Sequence, residues 1–176
     1  MSTAKKTEST VSEKSKKRIL MSSKGKIIKC YIAGSMEGRQ YEDLKYEHFY
    51  VRTQLNTIGL EVFDPLVKED HAPGRTVGLK NCGLDPQDVY HQDLTAVEEA
   101  AIIFWVTGDI QSEGSVTEVA WAGAMNKFGL DAKWIVIVSP KRASGQLNHF
   151  ANMHPGVKVV KSVDDGIQYI REVLGR

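Results

Sequence analysis

Cysteine is scarce in this chain, with Cys30 and Cys82 the only two in 176 residues. Two thiols far apart, one in an apolar stretch and one in a loop, make no disulfide framework. Together with the five histidines they match no zinc-ligand spacing. No apolar run approaches the roughly 18 residues a membrane-spanning helix needs. The opening lysines are followed by no apolar signal core, so neither export nor a membrane is expected. A reducing, cytoplasmic setting is the expectation. The histidines show no nucleophile–base pattern, no internal repeat is visible, and there is neither a GxGxxG nor a Walker loop.

What is present is unevenly charged. Residues 1–26 contain eight Lys or Arg against Glu8 and Glu13, a net +6 in a chain whose total is +1. Such a polar stretch cannot bury enough apolar surface to offset its ordering entropy. Residues 1–25 are therefore expected to be a disordered basic tail, with an arm for nucleic acid or an anionic surface as the less favoured alternative. A nucleic-acid partner is not expected. Residues 26–176, of ordinary globular composition, are expected to form one domain.

From Lys26 short apolar runs alternate with helical patterns. Lys26–Ile32 reads as a strand closed by Ala33-Gly34-Ser35, and Tyr41, Leu44, His48, Val51, Leu55 and Ile58 as an amphipathic helix stopped by Gly59. In that helix His48 reads as surface or core edge. Leu60–Phe63 is a second strand, and the Gly/Pro-rich stretch 66–84 is long enough to be a lid or binding loop. Asp85-Pro86 opens a helix to about Glu99, with Tyr90, Leu94 and Val97 as its apolar stripe. Ala100–Val106 is nearly all apolar, as in a central parallel strand. A helix over Ser115–Phe128, a strand over Lys133–Val138, an edge strand over Val157–Val160 and a helix capped by Ser162 complete the pattern. The expected fold is a doubly wound α/β domain with a five-stranded parallel sheet in flavodoxin-like order 2-1-3-4-5. Its ligand crevice would lie at the carboxyl ends of the strands.

Three segments converge there. Glu118 lies three residues after Ser115, the spacing of a capping box. The same position places a carboxylate beside helix N–H groups at the crevice, where it could attack an anomeric carbon. Asp93 is either a solvated helix-face aspartate or an acid for a departing base. Gly34-Ser35-Met36-Glu37-Gly38-Arg39 follows a strand and precedes a helix, a setting for anion binding or simply a turn. Ser112 and Gly114 offer further small donors.

Tyr31-Ile-Ala-Gly-Ser-Met resembles the opening motif of the nucleoside 2-deoxyribosyltransferase superfamily. Gly114-Ser-Val-Thr-Glu118-Val-Ala-Trp-Ala-Gly-Ala is similar to its nucleophile motif, and Gln92-Asp93-Leu94 with Glu99–Phe104 to its D-L segment. The likeness spans about residues 26–138, with Val119-Ala120 in place of Leu-Gly. It implies Glu118 as nucleophile, Tyr31 as the group that orients it, and Asp93 as the group that assists the leaving base. Ser112 stands where transferases on free nucleosides usually carry Asp. This resembles the branch that hydrolyses nucleoside 5′-monophosphates, with Gly34, Ser35, Met36, Gly38, Arg39, Ser112 and Gly114 around sugar and phosphate. Glu37 departs from the basic residue that branch can have. Ser144–Met153 corresponds to a region reaching a neighbouring subunit, which implies a homodimer or larger assembly, with Asn148 or His149 completing the partner's site. No metal or organic cofactor is implied. The resulting expectation is an N-glycosidase acting on a small nucleotide. A base-exchanging deoxyribosyltransferase and a non-catalytic nucleotide-binding module are the alternatives.

Overall fold

The computed structural model describes residues 27–36, 38–68, 77, 84–108, 112–140 and 156–176. The elements, in chain order, are β1 (Ile28–Gly34), α1 (Tyr41–Thr57), β2 (Leu60–Phe63), a one-turn α2 (Pro65–Lys68), α3 (Pro86–Glu99), β3 (Ile102–Val106), α4 (Glu113–Phe128), β4 (Trp134–Val138), β5 (Val157–Val160) and α5 (Val163–Leu174). The five strands pair in the expected order, β2-β1-β3-β4-β5, and every pairing is parallel. Among the described residues no helix is long and apolar enough to cross a membrane. The basic stretch 1–26, Glu37, Cys82, most of the expected lid, Asn148 and His149 lie outside the described residues.

Strand alternation divides the core into two layers. Cys30, Ile32, Ile102, Phe104, Trp134 and Val136 face α1 and α5, meeting Val51, Leu55, Ile167 and Ile170. Tyr31, Ala33, Ile103, Trp105, Ile135 and Ile137 face α3 and α4, meeting Ala96, Val97, Val119 and Ala122. Ile102–Trp105 is buried throughout, which is why its sequence shows no polar alternation. Full burial of each such side chain contributes about 1.5–3 kcal/mol. The Cys30 thiol sits in this core, where desolvation holds its pKa well above the ordinary value.

Several boundaries differ from those read from the sequence. Ile27 is exposed and β1 starts at Ile28, while β3 and β4 begin at Ile102 and Trp134. Ala100 still donates to Ala96 O as the C-cap of α3, so it is not yet strand. The buried face of α3 is Val89, Ala96 and Val97, whereas Tyr90 is 55% exposed. The inward phase is therefore set by positions 89, 93, 96 and 97, a helical i, i+4, i+7, i+8 series. Asp93 stands on that series. His48 is buried, not at the helix surface.

Helix α4 starts two residues before the expected Ser115. Its N-cap is Ser112, whose Oγ accepts from Ser115 N at 3.4 Å. The Ser115–Glu118 capping box is therefore not formed, and Glu118 stands in the second turn.

Candidate functional site

At the carboxyl ends of the strands, α3 and α4 leave a cavity of about 260 Å³. Asp93 lines it from α3 and Glu118 from α4, both half-buried. The two helices lie side by side on one face of the sheet, each with its N-terminus toward this edge. A parallel sheet imposes that polarity on every crossover helix. Gly34 and Met36, at the tip of β1, complete the floor, and Ser112, Gly114 and Ser115 form one wall.

The opposite wall is apolar, made by Val77, Pro86, Val89, Tyr90 and Leu94. Val77 packs with Leu44, Leu66 and Met36. It is pinned by two backbone bonds of 2.8 Å, from Gly38 N to Val77 O and from Val77 N to Arg39 O. The lining thus combines polar groups from the start of α4 with apolar groups from α3 and Val77. Such polarity suits a ligand with a charged or hydroxylated end and a flat, weakly polar end. The first-turn N–H groups of a helix have no intrahelical acceptor, and Gly114 belongs to that turn.

Of the residues singled out from the sequence, Gly34, Met36, Asp93, Ser112, Gly114 and Glu118 come together on this one cavity. Tyr31 lies deeper, fully buried and stacked on Phe63 at 5.7 Å between ring centroids. Ser35 is buried beside the cavity wall rather than on it, and Gly38, with φ of 77°, forms the turn beyond. Arg39 does not line the cavity. Its guanidinium makes a fork with Glu47, at 3.2 and 3.1 Å, and reaches Ser35 O at 3.5 Å. That places it behind the loop, where it braces the backbone.

The sequence reading missed a buried pair beneath the cavity floor. His48 Nδ1 lies 2.7 Å from Asp64 Oδ1, which also accepts from Leu66 N at 3.1 Å, and Arg52 Nη1 stands 3.8 Å from Oδ2. One signal was available: His48 occupies a core position in the α1 series, and a buried imidazole requires a partner. Nothing local identifies Asp64 as that partner. Ser115 was also missed in its actual role, since its hydroxyl donates to Gly34 O at 2.8 Å.

No protein-family model matches the chain. No curated protein matches it either. Among solved structures it is similar to a CMP N-glycosidase from Clostridium botulinum, with 18% identity and a TM-score of 0.54 over 82% of this chain and 98% of that one. It is similar to a 2-deoxyribosyltransferase from Bacillus psychrosaccharolyticus, with 22% identity and a TM-score of 0.57 over 83% and 95% of the respective chains. A 2-deoxyribosyltransferase from Leishmania mexicana gives 14% identity and a TM-score of 0.55 over 82% and 97%. At these identities the likeness is one of fold, and the fold is the one shared by the N-glycosidase and the deoxyribosyltransferases.

Proposed function

We propose that the chain is an enzyme that hydrolyses the N-glycosidic bond of a nucleoside or deoxynucleoside 5′-monophosphate. The observation that carries this reading is the convergence of Asp93 and Glu118, from two different helices, on one cavity lined by both polar and apolar groups. Glu118 attacks C1′ as the bond to the base breaks, and the bonding electrons leave with the base. Asp93, in its acid form, gives the base its proton. Water then attacks C1′ of the glycosyl ester, Asp93 takes up a proton from it, and the ester bond returns its electrons to Glu118. Two displacements at C1′ retain configuration.

Ser112 fits a phosphate contact even though it caps α4. A hydroxyl has one proton to donate and two lone pairs, so accepting from Ser115 N leaves the proton for a phosphate oxygen. The base would lie against the apolar wall. One observation favours the alternative of base exchange on an uncharged nucleoside: among the described lining residues there is no Lys or Arg, and Arg39 is paired with Glu47.

A panel of nucleosides and 5′-monophosphates, with free base scored by chromatography, tests the proposal. Base release is expected from the wild type and is expected to vanish in Glu118→Gln. The melting temperature should hardly change, since the cap of α4 is Ser112. Equal release from wild type and Glu118→Gln would remove Glu118 from the reaction. Ser112→Asp is expected to lower kcat/KM on the monophosphate by about tenfold or more, because one hydrogen bond to a charged group becomes a repulsion. A wild-type preference for free nucleosides, with base exchange when a second base is added, would replace hydrolysis by transfer.

A further inference from the structure

The tip of β1 is gripped from two sides. From α4, Ser115 Oγ donates to Gly34 O at 2.8 Å, a buried bond between residues 81 apart in the chain. A helical Ser or Thr hydroxyl can satisfy itself on the carbonyl four residues back. Thr117 does so, donating to Glu113 O at 2.9 Å. Ser115 instead crosses to another element. It also precedes Glu118 by three residues, so the two share a face of the helix.

From α1, the imidazole of His48 closes the other side of Gly34. A Cβ built on Gly34 would stand 3.2 Å from His48 Nε2 and 3.6 Å from Cε1, with Val106 O next at 4.0 Å. None of these atoms belongs to a residue lining the cavity, so the added methyl would press on His48 and not on a ligand. His48 is itself fixed, because the Asp64 carboxylate accepts from its Nδ1 at 2.7 Å. Both side chains are almost wholly buried. The apolar contacts that dock α4, through Val119 and Ala122, are non-directional and tolerate small slides. The Ser115–Gly34 bond is directional, and it lies at the end of the helix nearest the cavity.

We propose that Ser115 and His48 are positioning residues. Together they clamp the Gly34 peptide and so set where Glu118 stands relative to the sheet edge. The proposal rests on the reading of Glu118 as the nucleophile. A displacement of about 1 Å in a reacting group can cost roughly 100-fold in rate.

The test is kinetic and structural at once. Ser115→Ala is expected to lower kcat for base release by about 10- to 100-fold, with KM changed far less. Amide exchange is expected to quicken in the first two turns of α4 and to stay unchanged near Phe128. Ser115→Thr, which keeps the hydroxyl, should recover most of kcat if the added methyl is accommodated. Gly34→Ala and His48→Ala should each lower kcat, and the double variant should lose no more than the worse single one, as coupled residues do. Unchanged kcat in Ser115→Ala, or losses that simply multiply in the Gly34/His48 cycle, would overturn the proposal. If the wild type releases no base from any substrate, the functional reading falls, and exchange in Ser115→Ala alone decides the clamp: unchanged protection of the first turns would overturn it.

Discussion

Asp93 lies on the inward series of α3, one turn beyond Tyr90, and so reaches the cavity without being solvated on all sides. If it supplies the proton, Asp93→Asn should slow natural substrates by about 100-fold or more, the usual scale of general acid catalysis. An activated nitrophenyl glycoside needs no proton at its leaving oxygen and should be slowed much less. Equal slowing of both substrates would make Asp93 a group that positions the sugar. At this scale the sequence was informative about cavity-lining residues that stand in a strong local context. Glu118, Asp93, Gly34, Ser112 and Gly114 were all visible in it. His48 and Asp64 were not, because their meaning is a contact between α1 and the end of β2, which no local pattern encodes.

At the scale of the element, α3 and α4 show two ways in which a sequence pattern misleads. Tyr90 and Leu94 extend the apolar stripe of α3, yet they line the cavity and do not enter the core. An apolar side chain that faces a ligand has the same hydropathy as one that faces a sheet. In α4 both Ser112 and Ser115 can cap, and the glutamate three residues after Ser115 completes a persuasive motif. The helix begins ahead of Ser115, whose own N–H donates to Ser112 Oγ, and the Ser115 hydroxyl is turned to a tertiary acceptor, Gly34 O.

The far ends of these two helices are joined by Lys133. Its buried ammonium donates to Glu98 O and Ala100 O, each at 2.7 Å, and pairs with Asp131 at 3.2 Å. Its backbone is held by the side chain of Asn126, from α4, at 2.6 and 2.9 Å. Lys133→Met is expected to destabilise the fold by about 1–3 kcal/mol, because buried carbonyls at the end of α3 lose their donor. A melting temperature lowered by about 2–4 °C per kcal/mol would register it. Desolvation pulls the Lys133 pKa below its usual 10.5, with Asp131 acting in the opposite direction. A lowered folded pKa means that the unfolded chain binds more protons between the two pKa values. The stability of the wild type relative to Lys133→Met should therefore rise with pH in a window below 10.5. A difference independent of pH there would contradict the burial of a charged amine.

For the whole molecule, the architecture was legible because few topologies satisfy the constraints. Strands without polar alternation must be covered on both faces, and right-handed crossovers leave little choice of order. Exact strand starts were not legible, since Ala100, Ala101 and Lys133 are equally acceptable in strand, cap or loop. The polar opening of the chain bears on a separate experiment. From its composition, deletion of residues 1–25 is expected to leave both melting temperature and base release nearly unchanged. A large loss of either would assign those residues to the domain or its site.

The two layers of the core also differ optically. Trp134 belongs to the layer under α1 and α5, and Trp105 to the layer under α3 and α4, both shielded from water. Trp121, on the outer side of α4, is partly solvated and donates to Glu98 at 3.3 Å. Replacing two of the three tryptophans at a time leaves a single fluorophore whose emission reports one layer. Changes on ligand binding in the layer beneath the cavity are then followed through Trp105, while Trp134 watches the opposite face of the same sheet as an internal reference.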